Sequence, residues 1–204
     1  MDNGVDLETF TRSEIKGDIF RRRYGLRREV IFSVGFVFPR KGIFDFIEMA
    51  RRFPEHQFIW CGKKFKTWLT ARPFSIGKQF RNLPSNVRFL GYVPDIEGAY
   101  NAGDIFLFPS YAENQGMAIL EAAAVGKPVI VRALQVYQDW LVHGMNCLKA
   151  DDNDEFVECI RILIEDKSLR NKCRKWETYG GGAFLGSGRK KAQKNIRGFI
   201  GSMI

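Results

Sequence analysis

Apolar and polar positions change their period several times along the chain. The run EVIFSVGF (29–36) is apolar almost throughout and predicts a strand buried on both faces. GIFDFIEMARRF (42–53) instead sets Ile43, Phe46, Ile47 and Ala50 at helical spacing. HQFIWCG (56–62) and NVRFLGYV (86–93) return to strand character. DIEGAYNAG (95–103) reads as a short helix ending at Gly103, DIFLFPS (104–110) as a strand, GMAILEAAAV (116–125) as a helix and KPVIVRA (127–133) as a strand. NDEFVECIRILIED (153–166) is an amphipathic helix that opens on acids able to cap its N-terminus. Strand and helix in alternation predict crossover units and a parallel sheet, because parallel neighbours need a long connection. Helices on both faces make the expected fold α/β, a doubly wound parallel sheet, which takes its ligands outside the carboxyl ends of the strands. No internal repeat is visible.

Two segments leave this order. Residues 63–85, KKFKTWLTARPFSIGKQFRNLPS, are basic and aromatic and lie between two strands. After Tyr179 the amphipathic pattern gives way to GGGAFLGSG and a basic stretch, and three consecutive glycines each cost a helix about 1 kcal/mol relative to alanine. Residues 180–204 are therefore expected to be a poorly ordered tail.

Composition narrows the class. The 204 residues suffice for one sizeable domain, and 45% of them are hydrophobic. No apolar run approaches the roughly 20 residues of a membrane span. The opening MDNGVDLETF lacks a basic and then apolar segment, so no signal peptide is expected. The four cysteines, Cys61, Cys147, Cys159 and Cys173, show no paired metal spacing and read as reduced cytosolic thiols; His56 and His143 cannot build a histidine-rich metal site alone. The net charge of +9 fits an anionic partner, whether nucleic acid, anionic lipid or a phosphorylated small molecule, and equally fits a plain basic surface.

The chemistry concentrates at two predicted strand ends. Near Gly35 a strand gives way to a loop carrying Arg40 and Lys41, and a helix follows at Gly42. Two cations at the positive end of a helix are unfavourable unless an anion joins them, so helix amides with Arg40 and Lys41 form either a phosphate cradle or a solvated basic loop. In PSYAENQGMAILEAAAVGKP, Glu113 sits in a loop, Gly116 allows close backbone approach, and Glu121 lies about one turn into an apolar helix. A carboxylate at Glu121 is placed to accept hydrogen bonds from a diol such as a ribose, and Glu113 from a second polyol. The rivals are an acid/base pair of glycosidase type and two ordinary surface or capping glutamates. Asp152 and Asp154 could hold a divalent cation, but capping and dipole compensation of the helix they precede explain them fully.

Taken together, VGFVFPRKG, NVRFLGYV, DIFLFPSYAENQGMAILEAAAVGKPVI and HGMNCLKA resemble, in order, the donor-binding domain of retaining B-type glycosyltransferases, which is Rossmann-like. Two glutamates separated by seven residues after PS are the mark of that group. RKGIFDFIEMA, HQFIWCGK and VYQDWLVHGMNC further resemble bacterial diacylglycerol glucosyltransferases, which make membrane glycolipids. The resemblance implies one half of a two-domain enzyme. Residues 1–12 would be the remnant of an interdomain hinge and 13–179 the nucleotide-sugar-binding domain, with the N-terminal acceptor domain missing. It also assigns roles. Glu113 contacts sugar hydroxyls; Glu121 holds the ribose; Lys41 holds the diphosphate; Gly35, the strand-end glycine, and Arg40 belong to the donor-binding set; Val93 pairs with the base through its backbone. The amides of Gln115, Gly116 and Met117 flank sugar and phosphates. Glu113 and Lys41 are the implied catalytic pair. The family usually carries an arginine directly after the strand-end glycine, where this chain has Phe36, and Arg40 is the expected replacement.

The implied function is retaining transfer of a hexose from a nucleoside-diphosphate sugar, UDP-glucose by preference, with no metal or other cofactor, by a cytoplasmic protein lying on the inner face of a membrane. Residues 63–81 would either supply the contact with anionic lipid or form an ordinary helix that packs its aromatics inward. The alternatives are a nucleotide-sugar epimerase of similar architecture and a basic nucleic-acid-binding module. Nothing in the chain resembles a nucleic-acid motif, and the glutamates would repel phosphate.

Overall fold

The computed structural model describes residues 5–63, 80 and 82–173. The basic-aromatic segment (apart from Lys63, Phe80 and 82–85) and the tail from 180 lie outside the described residues, so the membrane contact and the tail expected from sequence belong to the undescribed part.

The elements follow the predicted alternation. In order they are α1 (Glu14–Tyr24), β1 (Val30–Val34), α2 (Ile43–Arg52), β2 (Gln57–Cys61), β3 (Val87–Gly91), α3 (Ile96–Ala102), β4 (Ile105–Phe108), α4 (Met117–Ala124), β5 (Val129–Arg132), β6 (Leu148–Ala150), α5 (Asn153–Glu165) and α6 (Lys167–Cys173). Short 3-10 turns at Pro39–Lys41 and Gln135–Tyr137 precede α2 and follow β5. Among the described residues the six strands are all parallel, in the order β3-β2-β1-β4-β5-β6. The chain winds outward from β1 to one edge, returns, and winds outward from β4 to the other. The order therefore reverses between β1 and β4, where neighbouring connections leave toward opposite faces and open a crevice.

Strand residues alternate between two cores. Val30, Phe32, Ile59, Cys61, Phe106, Phe108, Val129 and Val131 pack with Phe20 of α1, Tyr100 of α3 and Ile119 of α4. Ile31, Phe58, Trp60, Ile105, Leu107 and Ile130 pack with Phe46 of α2 and Phe156 of α5. Because both faces are covered, neither side of a strand needs polar residues, which is why the strands read as continuous apolar runs.

The predicted strand at 29–36 ends two residues early, so Gly35 and Phe36 belong to the loop that follows it, and Phe36 is 54% exposed. Two elements go unannounced by the hydrophobic pattern, α1 and the three-residue β6.

Candidate functional site

The crevice between β1 and β4 is walled by two loops, one from Gly35 to Gly42 and one from Pro109 to Gly116. They are stitched backbone to backbone: the Tyr111 amide donates to the Arg40 carbonyl at 2.8 Å. At Gly42 the approach is closer still. Its φ of 76° is left-handed, and a Cβ there would collide with the carbonyl and ring of Pro109, so only glycine lets the loops meet. Gly42 is also where α2 begins, after the 3-10 turn that carries Arg40 and Lys41.

This meeting brings Lys41 and Glu113 together. Lys41 Nζ lies 2.6 Å from Glu113 Oε1, and the Ser110 hydroxyl donates to the same oxygen at 2.6 Å. Both charged side chains are largely buried, 19% and 9% exposed. The ammonium stands 5.4 Å from the centre of the Phe108 ring, so its other near neighbour is an aromatic face rather than a second acid. The family resemblance implies a diphosphate at Lys41 and a sugar at Glu113; in the structure the two side chains pair with each other. Arg40 is exposed beside them.

Beneath the loops a buried network fixes their bases. Arg132, the last residue of β5, donates to the Pro109 carbonyl at 3.3 Å and to the Asp151 carbonyl at 2.5 Å. It pairs with Asp45 of α2 at 3.3 Å, and its guanidinium lies 4.1 Å from the Tyr111 ring centre and 5.1 Å from that of Phe156. The Tyr111 hydroxyl in turn donates to Asp45 at 3.1 Å. One side chain thus ties α2, the end of β4 and the loop carrying Glu113.

The second glutamate is separate from this pair. Glu121 is half-buried on α4, which starts at Met117 after the left-handed Gly116 with no side chain capping its first amides. Gly116 itself is buried, and Gln115 and Met117 flank it. Glu121 Oε2 accepts a 2.5 Å hydrogen bond from the Tyr100 hydroxyl. Burial raises the Glu121 pKa, and the Tyr100 bond acts against that rise. Val93, 6% exposed, follows β3 and Tyr92, at the same carboxyl end of the sheet.

The remaining acids and thiols have other employment. Asp152 caps α5, accepting from the Glu155 amide at 2.9 Å, while Glu155 accepts from the Asp151 amide at 2.7 Å. Asp154 pairs with Arg52 at 3.2 Å. Among the described residues no cluster of three or more potential metal ligands occurs. Cys61, Cys147 and Cys159 are buried and not joined in disulfides, and burial pushes Cys61 up to about 12 and Cys159 to about 11, so neither of these two is a ready thiolate. Sequence reasoning passed over Tyr100, Ser110 and Arg132. Ser110 alone carries a signal, its place in the PS step ahead of Glu113; nothing local marks Tyr100 or Arg132.

Comparison with known proteins supplies the lineage. Residues 18–179 match the model of the family "Glycosyl transferases group 1". The chain is 39% identical over 173 residues to the processive diacylglycerol alpha-glucosyltransferase of Acholeplasma laidlawii, covering 82% of this chain and 51% of that protein. Among solved structures, Anabaena Alr3699/HepE in complex with UDP and glucose superposes with a TM-score of 0.79 at 21% identity, over 98% of this chain and 56% of that one. The C-terminal domain of the group 1 glycosyl transferase LpcC from Francisella tularensis gives a TM-score of 0.71 at 23% identity, over 84% of this chain and 93% of that domain. These structural likenesses establish the Rossmann-like fold. The chain spans about half the length of the curated relatives it matches.

Proposed function

The chain belongs to the group 1 glycosyl transferases, and from that premise we propose that it is the donor-binding half of a retaining hexosyltransferase, holding a nucleoside-diphosphate sugar in the crevice between β1 and β4. UDP-glucose is the expected donor and a membrane glycolipid the expected product. The observation that carries this reading is the Lys41–Glu113 pair at the switch point, a cation and an acid side by side where the strand order reverses.

The exchange follows from the charges. A diphosphate gives Lys41 two anionic oxygens to replace one carboxylate, with exposed Arg40 adjoining and the uncapped amides of α4 nearby. Sugar hydroxyls give Glu113 the donors it loses when Lys41 turns away, and Ser110 keeps the carboxylate oriented meanwhile. As the bond from sugar to diphosphate breaks, negative charge grows on the leaving group, where Lys41 stabilises it. Glu121 takes the ribose hydroxyls, and the backbone at Val93 takes the base. No role falls to a metal in this scheme, since Asp152 and Asp154 are committed as a cap and an ion pair.

Glucose and lipid are supported by the relative at 39% identity, a processive diacylglycerol alpha-glucosyltransferase; UDP is supported by the Anabaena neighbour, solved with UDP and glucose. No helix among the described residues is long and apolar enough to cross a membrane; a peripheral placement through residues 63–81 is part of the proposal. The acceptor half would come from the length these relatives have and this chain lacks, so the chain by itself is expected to bind donor without transferring sugar.

A calorimetric panel of UDP-glucose, UDP-galactose, GDP-mannose and duplex DNA tests the proposal. UDP-glucose should bind and DNA should not. Binding of DNA with no response to any nucleotide sugar would overturn it.

A further inference from the structure

We propose that Tyr100 is a positioning residue for the nucleotide ribose: it anchors one carboxylate oxygen of Glu121 and so presents the other to the sugar diol. This rests on the ribose reading of Glu121 given above. Tyr100 stands on α3 and is fully buried. Its hydroxyl donates to Glu121 Oε2 at 2.5 Å, with the Ala118 carbonyl a longer alternative at 3.3 Å. The ring is fixed on three sides, edge-on to Phe10 at 5.5 Å and Phe32 at 5.6 Å, and tilted against Phe106 at 5.8 Å. Such a phenol has no room to turn, so the place of its hydroxyl is set by the core.

Glu121 needs an anchor of this kind. It is a flexible side chain on a helix of sequence MAILEAAA, and α4 gives it no polar neighbour of its own. A merely structural tyrosine would be satisfied by the Ala118 carbonyl; this one takes a half-buried carboxylate at shorter range. Two consequences favour binding. Burial raises the carboxyl pKa, and the Tyr100 bond works against that rise and so favours the charged form, the one that accepts from a diol. The phenol, raised well above its ordinary pKa by burial and by the Glu121 charge, stays a donor throughout the working range. Among the described residues no donor is recorded on Oε1, which leaves that oxygen for the ribose.

Phe10 extends the arrangement to the N-terminal segment. The strip before α1 is tied down by Asn101, which accepts from the Ser13 amide at 2.7 Å and donates to the Thr11 carbonyl at 3.1 Å. The ring that closes over Tyr100 therefore belongs to the stretch that the family resemblance implies to be an interdomain hinge.

The test compares UDP with 2′,3′-dideoxy-UDP on the full 204-residue chain, as wild type, Tyr100→Phe, Glu121→Gln and the double variant. Tyr100→Phe keeps the ring and its packing. It should weaken UDP about tenfold and leave dideoxy-UDP unchanged, and it should cause no further loss once Glu121 is glutamine. The pH below which UDP affinity falls should move upward in Tyr100→Phe, because Glu121 loses the contact that lowers its pKa. Equal losses for both nucleotides, or no loss for either, would overturn the positioning role. Failure of the wild type to bind UDP at all is a different result, and it would overturn the donor reading beneath it.

Discussion

Lys41 and Glu113 form a largely buried ion pair, and this sets what each substitution does. Lys41→Ala removes the group expected to meet the diphosphate, so its affinity for UDP should fall by about 1.5–3 kcal/mol while uridine binding stays unchanged. Titrating both ligands separates that outcome from a structural defect, which would weaken the two alike. Glu121 behaves differently, because burial raises its pKa. Its protonated form is the one favoured by folding, so its contribution to stability is greatest at low pH and is lost as pH rises through the raised value. Binding has the opposite sign: the charged form accepts from the diol, so UDP affinity is full above the raised pKa and declines as pH falls through it, beginning above the ordinary glutamate value of 4.5. Glu121→Gln should remove that decline, bind UDP more weakly at neutral pH, and melt no lower than wild type at pH 7. Calorimetry across pH with thermal denaturation checks all three. Both glutamates and Lys41 stood out as candidates in the chain, since two acids in an apolar stretch and a cation at a helix start each contradict local propensity. Tyr100 was not, because a tyrosine in DIEGAYNAG looks like any core residue until the fold brings α4 against α3.

The strands were legible at the level of elements because helices cover both faces of the sheet, which favours apolar residues at nearly every position of β1, β2, β4 and β5, with Ser33, Gln57 and Arg132 as the exceptions. Helix α1 was not. Only Gly17 and Phe20 of its eleven residues are buried, so it has almost no apolar stripe; what marks it is the Ser13 side chain accepting from the Lys16 amide at one end and the left-handed Gly25 at the other. Strand β6 is only Leu148, Lys149 and Ala150, too short to show a period. The tie between elements at Arg132 was equally invisible, since Asp45 lies far away in sequence. Removing one side of a buried pair leaves the other charge stranded. Arg132→Met should therefore cost about 3–5 kcal/mol, and Arg132→Met combined with Asp45→Leu should cost less than Arg132→Met alone. Urea midpoints of the two variants measure this; equal losses would mean that Arg132 acts through its carbonyl contacts and not through Asp45.

At the scale of the whole molecule, strand order decides where chemistry can occur. The reversal between β1 and β4 puts the loops after these two strands face to face, and the sequence had placed its phosphate and polyol residues on those two loops. Alternation of strands and helices revealed the parallel sheet but not the order of its strands, which depends on crossings that no local pattern records. The account's central claim is that this crevice holds the donor. Amide chemical shifts of the labelled 204-residue chain, followed during titration with UDP-glucose, test it most directly. The expected result is a contiguous set of shifts at Gly35, Lys41, Gly42, Glu113, Gly116, Met117 and Glu121, with Val93 responding to the base. Shifts gathered instead at the opposite end of the sheet, around Arg21, Arg28 and Asp104, with the crevice silent, would contradict it.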